Sequence, residues 1–231
     1  MNPGPKPKGQ IQIKWSSEFS YAIGLITADG CLSKDGRHIS VTSVDKDQIE
    51  AFKKCLGLKT MTSIKFSGNG NLAYHTQFGD VLFYRFLLSI GLTPKKSLTL
   101  GEIKIPDKYF LDFFRGYFDG DGSSYSYYDL KYKNSFRFYL SFTSGSINYL
   151  IWLRRKTFEL MNVKGYFSYN CNNSYVQLKY AKKEAVLISK KMYYCSSLPF
   201  LGRKHDKIKQ SLRIIEKCRS GEIGRRATFR S

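Results

Sequence analysis

The feature that most constrains this chain is a repeated segment. Gly24-Leu25-Ile26-Thr27-Ala28-Asp29-Gly30 returns as Gly116-Tyr117-Phe118-Asp119-Gly120-Asp121-Gly122. Asp121 follows Asp29 by 92 residues, close to the length of one small domain. Each copy carries two small residues four positions apart, Gly24 with Ala28 and Gly116 with Gly120. On a helix such residues share a face, and two helices meeting there can bring their backbones close together. Their C-terminal ends, with Asp29 and Asp121, then lie side by side. Two adjacent carboxylates repel, and a divalent cation held by hard oxygen ligands relieves that repulsion. One Asp-Gly after a helix would be an ordinary turn. Two copies sharing the same stripe and the same downstream order need more than that.

The downstream order also repeats. After Asp29 comes a turn-rich stretch, Ser33-Lys34-Asp35-Gly36, and then an alternating strand, His38-Ile39-Ser40-Val41-Thr42. After Asp121 comes a polar stretch and then Arg137-Phe138-Tyr139-Leu140-Ser141-Phe142-Thr143. Both strands place apolar side chains on one face and polar ones on the other. A helix follows in each half. The first has Asp45 as N-cap with Gln48 in a capping-box spacing, and stops at Gly57. The second runs from about Ser146 to Leu160. A hairpin comes next, turning at Ser67-Gly68-Asn69-Gly70-Asn71 in one half and at Asn172-Asn173 in the other. An apolar helix closes each half, Val81 to Ile90 and Ala185 to about Tyr194. The pattern is an α+β fold of two pseudo-symmetric αββαββα halves packed through the two motif helices. The expected division is a flexible basic arm (1–13), a first half (14–100), a second half (101–200), and a basic C-terminal helix and tail (201–231). Pro106-Asp107 marks the start of the second motif helix.

Composition narrows the partner. The formal net charge is +20, with 17 Tyr and 17 Phe interleaved among the basic residues. Such an excess attracts a polyanion, most commonly nucleic acid. A membrane surface would need a basic amphipathic anchor or a long apolar span, and neither is present. The 42% hydrophobic content supports a real core. Five cysteines without a C-x-x-C pair argue against a zinc site and a disulfide framework, and for a reducing compartment. The Pro/Gly/Lys-rich N-terminus lacks an apolar run and does not read as a signal peptide. The expectation is a protein of the cytoplasm (nucleoid) or an organellar matrix, not a secreted one.

The segments Ala22 to Gly30 and Phe114 to Gly122 resemble the two motifs of single-chain LAGLIDADG homing endonucleases. The stretch Ile90-Gly91-Leu92-Thr93-Pro94-Lys95-Lys96-Ser97 also resembles this family, and the likeness covers roughly residues 14–200. Thr27 stands where the family has its first Asp, and Ala22 where it has its leading Leu; neither is the metal ligand. The resemblance implies a monomer acting as a pseudo-dimer, which cuts both strands of a long, non-palindromic duplex and leaves 3′ overhangs. It implies Mg²⁺, with Mn²⁺ or Ca²⁺ able to occupy the site, held by Asp29 and Asp121 with the carbonyls of Ala28 and Gly120. It further implies a catalytic-centre residue on the last strand of each half, counted as Gln77 and Lys179, with Ser43 and Ser144 behind them.

The family presents its sheets to DNA as a curved saddle. On that model, the alternation turns Ser33, Asp35, His38, Ser40, Ser63, Lys65, His75 and Gln77 to DNA from the first half. From the second it turns Tyr125, Tyr127, Arg137, Tyr139, Ser141, Tyr166, Ser168, Asn170, Tyr175, Gln177 and Lys179. Polar and aromatic side chains suit base edges and sugars, and Lys and Arg suit phosphates. The same fold leaves open an RNA maturase that aids intron splicing, with RNA as partner. A non-cutting DNA-binding regulator would tend to lose the acidic residues, and both are present. No self-splicing blocks flank the motifs and the chain begins at Met1, which favours a free-standing enzyme over an intein domain.

Overall fold

A computed structural model describes residues 9–66, 70–132, 135–169 and 175–219. The first half runs α1 (Ser17–Asp29), β1 (Gly30–Leu32), β2 (His38–Ser43), α2 (Lys46–Leu56), β3 (Ser63–Phe66), β4 (Leu72–Gly79) and α3 (Val81–Ser89). The second repeats the order with α4 (Phe110–Asp121), β5 (Gly122–Tyr128), β6 (Phe136–Ser144), α5 (Ile147–Met161), β7 (Tyr166–Tyr169), β8 (Val176–Tyr180) and α6 (Lys182–Met192). A last helix, α7, spans Gly202–Arg219. The strands form two four-stranded antiparallel sheets, ordered β1-β2-β4-β3 and β5-β6-β8-β7.

The two motif helices lie at the centre because their sequences are apolar nearly all round. Every residue of α1 from Phe19 to Thr27 is buried, as is every residue of α4 from Phe110 to Asp119 except the half-buried Leu111. They meet at the predicted small-residue stripe. A Cβ on Gly24 would fall 2.2 Å from the Phe113 carbonyl oxygen, and one on Gly116 would fall 2.1 Å from that of Tyr21. No side chain fits at either position. Around this seam one continuous core joins both halves, from Ile39, Phe52 and Phe83 on one side to Phe142, Trp152 and Tyr180 on the other.

Thr27 and Asp119, equivalent in the repeat, do different work. Thr27 Oγ1 donates back to the Ile23 carbonyl at 2.8 Å within its own helix. Asp119 Oδ2 accepts from Tyr21 OH and from Leu201 N–H, both at 2.7 Å, and so ties α4 to α1 and to the approach of α7.

Several sequence expectations are corrected. Asp45 precedes α2 as its N-cap but makes no side-chain capping bond, and Gln48 does not reach back to it. Asp45 is instead paired with Arg203 of α7. The second motif helix is led in by a 3-10 turn, Asp107–Tyr109, and α6 ends at Met192, earlier than Tyr194. Residues 9–13 do not form a free arm. Asp80 accepts from Gln10 N–H at 2.5 Å and Ile11 N–H at 2.9 Å while capping α3 through Phe83 N–H at 2.8 Å. Ile11 is buried as a result. The rest of the proposed arm, both hairpin tips except Gly70 and Asn71, and the tail after Arg219 fall outside the described residues. Gly57 does end α2 in the left-handed region, at φ 65°.

Candidate functional site

Asp29 and Asp121 are the last residues of α1 and α4. The seam that brings the helices together therefore brings their carboxylates together. A Cβ on Gly120 would meet Ala28 Cβ at 2.2 Å and Asp29 Oδ2 at 2.9 Å, so the contact stays close up to the acids themselves. Each carboxylate also sits at the negative end of a helix. Burial, then the charge of Asp121, pushes the Asp29 carboxyl up to about 7. Burial raises Asp121 as well, opposed by Lys96 and Lys204.

Those two lysines are the main additions that the structure makes. Lys96 lies between α3 and α4, is buried, and donates to the Gly30 carbonyl just past α1. Lys204, in the first turn of α7, donates to the carbonyls of Phe118 at 2.9 Å, Asp119 at 2.7 Å, Gly120 at 2.8 Å and Gly122 at 2.7 Å. It caps the end of α4 with a charge. Its own pKa is lowered to about 8, because burial outweighs the attraction of Asp119. The Gly120 carbonyl, expected as a metal ligand, is thus held by Lys204. Gln48 is a third addition. It is buried, its Nε2 lies 3.4 Å from Asp29 Oδ2, and its Oε1 accepts from Ser43 Oγ at 2.5 Å.

Two cavities of about 240 Å³ each flank the pair. One is lined by Asp121, Lys96, Tyr117, Thr143 and Ser144, and the other by Asp29, Gln48, Ser43, Ala73 and Arg203. Ser43 and Ser144 therefore reach the centre. Gln77 does not line either cavity. The β4 residue at the wall of the Asp29 cavity is Ala73, and Gln77 lies four residues further along the strand, about 13 Å away. In the second sheet Gln177 pairs with Thr143, while Lys179 is two residues further out and donates to Ser168 Oγ at 3.2 Å. Counting along a strand could not show which end points to the helix seam.

The predicted outward faces are real faces. In the first sheet Ser40 sits opposite Gln77, and Ser63 opposite His75; Lys65 falls in the same alternation, with Cys31, Thr42 and Ala73 added. In the second, Tyr125 is opposite Tyr139, Tyr127 opposite Arg137, Ser141 and Tyr166 opposite Lys179, and Ser168 opposite Gln177. Tyr175 precedes β8 in the same alternation, while Asn170 lies outside the described residues. His75 and Ser141 share the face but are buried, at 6% and 1% exposure, and His75 Nδ1 is 2.9 Å from Thr42 Oγ1. Ser33 and Asp35 belong to the β1–β2 turn. Asp35 accepts from the His38 ring at 2.5 Å and from the His38 and Arg37 amides at 3.0 Å, and these bonds, the ring's foremost, hold its carboxyl well below the usual range.

No family model and no curated protein sequence matches the chain. Solved structures do. The homing endonuclease I-WcaI bound to its DNA recognition sequence has a TM-score of 0.61 at 15% identity, over 89% of this chain and 95% of that one. The LAGLIDADG meganuclease I-AabMI bound to uncleaved DNA has a TM-score of 0.60 at 14% identity, over 87% and 91%. This is the LAGLIDADG fold. Full-length DUF199/WhiA from Thermatoga maritima shares it, at a TM-score of 0.55 and 15% identity, and the chain spans 63% of that protein's length. A LAGLIDADG fold does not by itself fix the chemistry, which depends on the residues of the site. Among the described residues no helix is long and apolar enough to cross a membrane.

The acid pair makes a stability prediction. An acid whose folded pKa exceeds its unfolded value, about 3.9, binds more protons when folded. Stability is then full below the unfolded pKa and declines as pH rises through about 4 to about 7. Asp29→Asn removes that slope. Its unfolding free energy should exceed the parent's by about 2 kcal/mol at pH 8, after allowing for solvent screening, and match it near pH 4. Urea titrations at the two pH values measure it. A variant less stable at pH 8 would refute the cost assigned to a charged, partly desolvated Asp29 beside Asp121.

Proposed function

We propose that the chain is a site-specific, divalent-metal-dependent endonuclease that cuts both strands of a long, non-palindromic DNA duplex. The observation that carries this reading is the pair Asp29 and Asp121, set at two touching helix ends that open to solvent, partly desolvated and flanked by Lys96 and Lys204. Two carboxylates placed where their charges are costly suit a site for a cation.

The donor set fits Mg²⁺, or Mn²⁺ or Ca²⁺ in its place. Asp29 and Asp121 would hold it with the Ala28 carbonyl, and the Gly120 carbonyl would have to share with Lys204. Bound there, a divalent ion supplies Lewis-acid polarisation of the scissile phosphates and acidifies a coordinated water. The chain's own residues do the rest. Lys96 and Lys204 offset the negative charge that builds on a phosphate during displacement. Gln48, steadied by Ser43, orients the Asp29 carboxylate. The two sheet faces provide the DNA contacts, in a single chain that acts as its own pseudo-dimer. Lys179 and Lys65 suit phosphates, and Gln77 suits a base edge.

The test is to incubate the chain with Mg²⁺ and a duplex spanning its own gene's empty insertion site, and to map the ends. A staggered cut on both strands that stops with a chelator is expected. Cutting unaffected by chelation would remove the metal from the proposal.

A further inference from the structure

The two outward sheet faces are built from different chemistry. The first presents exposed Gln77 and Lys65 beside Ser40 and Ser63. The second presents a tyrosine ladder. Tyr125 and Tyr139 stack at 4.9 Å between centroids and 15°, and Tyr127 continues the stack on Tyr139 at 6.3 Å and 15°. Tyr127 is 48% exposed. The helix layer lies on the opposite side, where Ser211 of α7 meets Ser126 at 3.1 Å.

Aromatic rings left facing water are costly unless something covers them. Their mutual stacking fixes the rotamers beforehand, so little side-chain entropy remains to be lost on contact. The long polar neighbour is also committed. Arg137 donates to Asp129 Oδ2 at 3.0 and 2.9 Å, so its guanidinium is not free to fork onto guanine. What this end of the face offers is flat apolar surface and single hydroxyls. The apolar group that a major groove displays is the thymine methyl.

We propose that the two halves read their half-sites by different means: the first by hydrogen bonds to base edges, the second through packing of Tyr125, Tyr127 and Tyr139 on thymine methyls and sugars. This rests on the endonuclease reading and extends it. The outer part of the second half-site is then biased to A·T pairs and otherwise permissive.

The experiment selects duplexes bound by the full chain, without divalent cation, from a library randomised across the site. Thymidines in the best duplex are then replaced by deoxyuridine, one flank at a time. Each lost methyl in the second flank should weaken binding about fourfold, as expected for one buried methyl group, with no change in the first flank. Tyr139→Phe, which keeps the ring, should preserve the A·T bias. Tyr139→Ala should erase it while the first flank's preferences persist, which also shows that the variant is folded. Equal methyl effects in both flanks, or loss of the bias in Tyr139→Phe, would overturn the proposal and leave the DNA reading intact. Absence of any sequence-selective binding would overturn both.

Discussion

Asp121→Asn should lower DNA cutting by about a thousandfold or more while leaving duplex affinity within a few-fold of the parent. Asparagine keeps the shape and one acceptor oxygen but removes the charge that a divalent ion needs. The loss should be local, because Asp121 reaches solvent at the end of α4 and its carboxylate contributes no hydrogen bond that holds the fold together among the described contacts. Lys96 and Lys204, which now offset two carboxylates, would face only one. Net positive charge near the phosphates therefore rises, and binding should not weaken. The comparison needs a cleavage time course in Mg²⁺ and a binding titration without it. Asp29→Asn should behave in the same way. Undiminished cutting by either variant would remove the acid pair from the chemistry. Asp29→Asn is thus expected to stabilise the chain at pH 8 and yet abolish cutting, which is the pattern of a site that keeps costly charge for function.

Gly116→Ala should destabilise the fold by about 3–5 kcal/mol, a large share of the ~5–15 kcal/mol that a domain commonly holds. The added methyl would stand 2.1 Å from the Tyr21 carbonyl oxygen, in backbone that cannot swing aside. The helices would have to separate, loosening the aromatic contacts along α4, among them Phe114 on Phe142 at 4.3 Å. Gly101→Ala is the control, because nothing lies within 4 Å of its added methyl, and it should stay within about 0.5 kcal/mol of the parent. Urea midpoints decide it. If Gly116→Ala matched Gly101→Ala, the close backbone contact between α1 and α4 would not limit the stability of the fold.

Much of this architecture was legible in the sequence. The repeat around Asp29 and Asp121 announced two halves, the stripe Gly24/Ala28 and Gly116/Gly120 announced their contact, and period-two alternation sorted the sheet faces residue by residue. The centre was less legible. Counting along a strand points to Gln77 and Lys179, whereas register puts Ala73 and Gln177 closer in. The spacing of Gln48 from Asp45 fits a capping box, but tertiary packing turns its side chain to Asp29 instead. Lys96 and Lys204 carried only a faint signal: each half is followed by a pair of cations, Lys95-Lys96 and Arg203-Lys204, among 38 basic residues in all.

What the sequence alone determined is whatever depends on local periodicity and repetition: the element order, the inward and outward faces, and the two acids at matching helix ends. Only the tertiary structure decided which distant side chains surround those acids. Lys204 follows Asp121 by 83 residues and still caps α4, because the buried carbonyls at that helix end need a partner and the chain's return along α7 delivers one. A loop's landing point is set by the packing of whole helices and sheets, and no local pattern encodes it.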